Sequence, residues 1–198
     1  MKLLLRSIFY MPGVIIHELS HHFFCIIFNA KVIDVCYYNF WDSSGYVMHN
    51  RPKYLYQDVL IAIAPFLLNS LLGGLIAYPT IINKLSLLGL ASLNWQDFLR
   101  IIISISIGMN AIPSKGDGLS IWYAVGDSDM NFLLKFLAKI IIAPLVLIIF
   151  LINFGSSYLK IDLLYGVCVC FIGPKLIENI FNLDISQNLI NKLQNINF

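Results

Sequence analysis

The chain carries little charge. Only 12% of its 198 residues are Asp, Glu, Lys or Arg, against 59% that are hydrophobic, a balance that excludes an ordinary soluble domain and points to an integral membrane protein. A formal net charge of +2 with no long basic run excludes a nucleic-acid partner. Cysteine is sparse: Cys25, Cys36, Cys168 and Cys170 contain no C-x-x-C pair, and three of them lie within apolar segments. They read as small hydrophobes rather than ligands or disulfide partners. No G-x-S-x-G is evident, so serine chemistry has no marker, and four histidines are too few for a di-iron lipid oxidase. Nor does any repeat or linker divide the chain. Residues 1–198 read as a single membrane-embedded domain.

What the chain does have is concentrated in Pro12 to Asn29, a near-continuous apolar run holding His17, Glu18, His21 and His22. On a helix, residues four apart rise about 6 Å and lie within about 40° of each other, so His17 and His21 share a face and can close on one metal ion. Glu18 stands beside them. This His-Glu-x-x-His arrangement is that of zinc hydrolases, in which two imidazoles hold Zn²⁺ and the carboxylate takes a proton from water at the metal. An ionisable group at the bilayer centre costs about 2.5–3.5 kcal/mol, whereas a structural zinc returns roughly 10–16 kcal/mol in small peptides. A metal therefore offsets the burial of this cluster. His22, rotated roughly 140° from His17, falls to packing or hydrogen bonding.

The first span, 3–28, is long enough to cross a bilayer, and His21 lies about 12 Å of helix from Asn29. Lys2 and Arg6 ahead of the apolar run imitate a signal peptide, but the run continues past His17 to Phe28, so the segment is expected to be retained. From Lys31 to Asn50 the residues turn β-branched and aromatic, with Asp42 to Gly45 between two runs. That predicts a hairpin, or else a loop lying at the headgroups. An exposed hairpin edge would accept an extended peptide as an added strand, with His49 either a site residue or merely polar edge.

Further spans are expected at 54–78, with Pro65, Asn69 and the Gly73–Gly74 pair inside; at 98–112; at 131–154; and at 161–180, interrupted at Gly173–Pro174. Residues 85–93 are apolar but too short to cross and stay unassigned. Residues 181–198 read as an amphipathic surface helix. The fold class is thus all-α: five to six transmembrane or re-entrant helices with a small β-hairpin after the first. Pro113, Gly116 and Gly118 predict that the backbone leaves the helix after the third span, which puts Asp117 in an irregular segment suited to a third zinc ligand. Asp127 and Asp129 are the alternatives.

H-E-L-S-H in an apolar helix, followed after a later helix by N-A-I-P-S-K-G-D-G, resembles the site-2 protease family of intramembrane zinc metalloproteases. That family has a three-helix core whose first helix carries H-E-x-x-H and whose third is followed by an Asn-x-x-Pro and Asp-Gly motif. The resemblance covers about residues 1–118, leaving 131–180 as accessory helices. It implies Zn²⁺ held by His17, His21 and Asp117, Glu18 as catalytic base, Asn110 as a substrate-orienting residue, and a membrane-protein or membrane-inserted peptide as substrate. The chain departs from the family pattern in two places: three residues, not four, separate Pro113 from Asp117, and Gly116 replaces the customary Leu. Lys and Arg counts around the spans place the hairpin face in the cytoplasm of a prokaryotic cell membrane. A zinc-binding scaffold without catalysis is the alternative reading, which retention of Glu18 disfavours.

Overall fold

The computed structural model describes residues 2–181, the side chains of residues 2–6 and 87 excepted. The amphipathic tail expected over 181–198 lies outside the described residues, apart from Phe181. Helix α1 (Lys2–Ile27) leads into strands β1 (Val32–Asn39) and β2 (Ser44–His49). Helices α2 (Leu55–Thr80), α3 (Trp95–Met109), α4 (Lys115–Gly126), α5 (Phe132–Leu159) and α6 (Ile161–Ile180) follow. Fold class is therefore helical with one antiparallel hairpin after the first helix.

Two helical stretches, Leu55–Leu85 and Phe132–Leu159, are long and apolar enough to cross a membrane. The second buries only Ile142, Ile149 and Gly155. It leaves Phe132, Ile141, Leu147, Leu151 and Phe154 outward, an apolar surface suited to lipid.

Two expectations need correcting, and one unassigned stretch gains a structure. Gly116 and Gly118 do not keep the backbone irregular around Asp117. The break is confined to 110–114, and Asp117 sits in the first turn of α4, where Ser114 Oγ accepts from its amide at 3.2 Å and its own Oδ2 accepts from the Ser114 amide at 2.6 Å. This reciprocal cap satisfies donors that a helix start leaves orphaned, and it offsets the low helix propensity of the two glycines. Gly173–Pro174 does not interrupt α6, which runs unbroken to Ile180 with both residues inside it. Helix α2 continues as a π-helical turn (Ile81–Leu85), and the unassigned stretch 85–93 follows it as short helical turns to Ser92. Its end is tied down by Asp97, which accepts from Lys84 at 2.6 Å, from Arg100 at 3.1 Å and from Thr80 at 3.1 Å.

The hairpin neither stands off the end of α1 nor trails as a loop. It folds back along that helix, with Tyr38 Oη donating to the Ser7 carbonyl at 2.6 Å and Ser43 Oγ bonded to Ser7 Oγ at 2.8 Å. From Ile27 to Ser7 is about 30 Å of helix, so the hairpin covers most of its length. Strand pairing sets Val35 opposite Val47, Cys36 opposite Tyr46 and Asn39 opposite Ser44.

Helices α1, α2 and α3 pack around a polar tie. Asn69, fully buried on α2, donates to the carbonyls of Gly13 at 3.3 Å, Ile107 at 3.3 Å and Asn110 at 3.1 Å, and accepts from Ser20 Oγ at 3.1 Å. Its bonds thus join three helices and reach the Asn110 backbone beside the site. Gly13 is where α1 meets α3: a Cβ there would lie 2.0 Å from the Ser106 carbonyl oxygen. One turn further along both helices stand His17 and Asn110.

Candidate metal centre

His17 and His21 lie four apart on α1, so the helix brings both rings to one side, and both are buried. The outer nitrogen of each ring meets a main-chain carbonyl: His17 Nδ1 and the Asn110 oxygen are 2.6 Å apart, His21 Nδ1 and the Ile61 oxygen 2.7 Å. A carbonyl only accepts, so each Nδ1 carries the hydrogen and each neutral ring presents a bare Nε2 lone pair. Those two Nε2 atoms face each other at 3.2 Å. Asp117 completes the group, with Oδ2 3.6 Å from His17 Nε2 and Oδ1 3.3 Å from His21 Nε2.

With Nδ1 as the hydrogen-bond donor, each ring in its neutral form turns an Nε2 lone pair toward the other ring and the Asp117 carboxylate. A cation is what such a cluster lacks. Ligand atoms about 2.05 Å from a tetrahedral zinc stand about 3.3 Å apart; the two Nε2 atoms match that spacing at 3.2 Å, and with one oxygen of Asp117 the three donors lie within 4.8 Å of one another. The residues present fit Zn²⁺, and all three line a cavity of about 550 Å³.

The carbonyls that orient the rings are available for identifiable reasons. Asn110 ends α3, so its oxygen has no helical donor. Ile61 lies four residues before Pro65, which has no N–H to give to that oxygen. The spacing of four between Ile61 and Pro65 is visible in the sequence, whereas the imidazole that uses the freed carbonyl comes from another helix. Such outer partners fix ring orientation and tautomer in metal sites. Asn69 adds a second donor to the Asn110 oxygen, and the Ser114 cap holds the Asp117 carboxylate.

Glu18 is buried on the cavity wall beside the three donors. Strand β2 closes on it: a Cβ at Gly45 would come within 2.5 Å of Glu18 Cγ. Only glycine lets the strand approach so near, and this packing contact was invisible in the sequence. β2 contributes Ser44 to Val47 and His49 to the cavity lining.

The remaining candidates separate clearly. Asn110 lines the cavity, but its side-chain amide is turned back to the Ser106 carbonyl at 2.9 Å, and it is the backbone oxygen that meets His17. His49 reaches the cavity wall without joining the three grouped donors. Asp127 is drawn away by Arg51 at 2.9 Å, and neither it nor Asp129 belongs to the group. His22 stacks on Tyr37 and bonds its hydroxyl at 2.5 Å, the packing role expected of it. No family model, curated protein or solved structure matches the chain.

Proposed function

We propose that the protein is an intramembrane zinc metallopeptidase that hydrolyses peptide bonds of membrane-inserted substrates. The observation that carries this reading is the convergence of His17 Nε2, His21 Nε2 and an Asp117 oxygen within 4.8 Å of one another, with Glu18 beside them on the same cavity. A divalent ion held there would supply Lewis acidity, lowering the pKa of a coordinated water and polarising a carbonyl. Glu18 is a base rather than a ligand, and a scaffold would not need it. Its carboxylate accepts the proton of the attacking water and later returns it to the leaving amine. Gly45 holds Glu18 from the opposite side and limits its rotamers.

The substrate enters as an extended strand. A transmembrane helix hides its carbonyls in internal hydrogen bonds and has to unwind before it can react. β2 borders the cavity and has an unpaired edge in the two-stranded sheet of the described residues. That edge would supply main-chain partners to the unwound segment. Helices α1, α3 and α6 join the two apolar stretches as spans of a multi-pass protein, and the excess of Lys and Arg near the base of the hairpin places that end in the cytoplasm.

The test is a comparison of membrane-derived peptide fragments from cells carrying the intact protein or its Glu18→Gln form. Fragments that end within a hydrophobic segment are expected only with the intact protein, accompanied by uncleaved precursor with the variant. Identical fragment sets would reject the proposal.

A further inference from the structure

The cavity beside the metal centre is lined asymmetrically. Its ionisable residues are three histidines, Tyr46 and four acids, Glu18, Asp58, Asp117 and Asp162, and among the described residues no lysine or arginine lines it. Glu18 and Asp117 belong to the chemistry already described. Asp58 does not. It stands in the first turn of α2, only 7% exposed, on the cavity wall. Its carboxylate makes no hydrogen bond or ion pair among the described residues.

The basic side chains around Asp58, His49 and Arg51, make their contacts elsewhere. His49 Nδ1 meets the Asn50 carbonyl at 2.9 Å. Arg51 donates to the Tyr123 carbonyl at 2.8 Å and pairs with Asp127 at 2.9 Å. Two more wall atoms, Ser156 Oγ and Asp162 Oδ1, are buried without partners. A desolvated carboxylate lacking a donor is costly, and that cost is recovered when a cation binds it. The start of a helix favours negative charge, so α2 helps Asp58 remain an anion. Asp58 also precedes Ile61 by about one helical turn, roughly 5 Å along α2, and the Ile61 oxygen is the one that orients His21.

We propose that Asp58 anchors a positively charged group of the substrate, an ammonium or guanidinium, close to the scissile bond. This rests on the peptidase reading and adds a specificity to it: the substrate is not uniformly apolar but carries a cation at a fixed offset from the cleaved peptide. Both a lysine or arginine side chain and a free α-amine have the required chemistry. The carboxylate binds the cation, and the cavity beyond it has room for the rest of the substrate.

The test uses the full-length zinc-loaded protein in micelles and a series of internally quenched apolar peptides. Each peptide has lysine, norleucine or glutamate at one scanned position, and either a free or an acetylated N-terminus. Lysine is expected to exceed norleucine by about tenfold or more in kcat/KM at one position, chiefly through KM, with glutamate poorest. Preference tied to a free N-terminus, with no favoured lysine position, would identify the amine as the source of the cation. In Asp58→Asn the lysine-to-norleucine ratio is expected to fall to within about twofold, and Asp58→Glu is expected to recover part of it.

Absence of any charge preference in the parent protein, or an undiminished preference in Asp58→Asn, would overturn the role of Asp58. Binding of the same peptides to the Glu18→Gln protein separates the two readings. Charge-dependent binding without cleavage by the parent would reject the peptidase while upholding Asp58. Cleavage without charge preference would do the reverse.

Discussion

Purified Glu18→Gln protein is expected to hold its zinc as the parent does and to lose cleavage by about 10²–10⁴-fold, the range a positioned general base contributes. Gln matches Glu in shape, so the contact with β2 at Gly45 survives, and none of the three converging donors is altered. What disappears is the capacity to accept a proton. The loss should fall on kcat with KM little changed, since the carboxylate acts on the attacking water and not on the resting substrate. The check is steady-state cleavage of a quenched apolar peptide alongside zinc content. Cleavage within a few-fold of the parent would remove Glu18 from its assigned role. Loss of zinc together with activity would make it a ligand instead.

Gly13→Ala should damage a site it never touches. Its new Cβ would lie 2.0 Å from the Ser106 oxygen and 2.4 Å from Asn110 Nδ2, and the first of these is main chain, which cannot turn aside. Helices α1 and α3 have to part. Overpacking of this kind costs about 1–3 kcal/mol of stability. The separation propagates by register: His17 is one turn beyond Gly13 on α1, and Asn110 one turn beyond Ser106 on α3, so the bond from His17 Nδ1 to the Asn110 oxygen lengthens. Losing such an outer partner weakens metal binding by about 10–100-fold. Thermal unfolding in detergent and zinc titration against a competing chelator read the two effects. Unchanged zinc affinity in a destabilised protein would mean that the carbonyl does not position the ring.

The histidine pair was legible because a helix maps a spacing of four onto one face without help from the rest of the fold. Asp117 was legible as a residue but not as local structure. Two flanking glycines were read as helix breakers, whereas Ser114 and Asp117 at a spacing of three are the cap signature that starts a helix. The first turn tolerates glycine once its orphan amides are satisfied, and Ile121, Ala124 and Val125 bury the turns that follow. Proline misled in the same direction at Pro174, which α6 accommodates in a buried position. The effect of Pro65 on the Ile61 carbonyl needed His21 to arrive from another helix before it meant anything.

The hairpin was legible as a pair of strands but not in its direction. Its return along α1 depends on Tyr38 and Ser43 meeting Ser7, contacts between residues more than thirty apart in the chain. Nothing in the local pattern encodes them. Gly45 and Asp58 escaped for the same reason. One matters for the side chain it admits, and the other for the partner that its own neighbours withhold.

The most direct test of the metal centre is the zinc content and zinc K-edge X-ray absorption spectrum of the purified parent protein. About one zinc per chain is expected, bound by two imidazoles and oxygen donors at about 2.0–2.2 Å with no sulfur, and removed by His21→Ala. A parent protein that takes up no stoichiometric zinc, or a His21→Ala protein with the parent's zinc and spectrum, would contradict it.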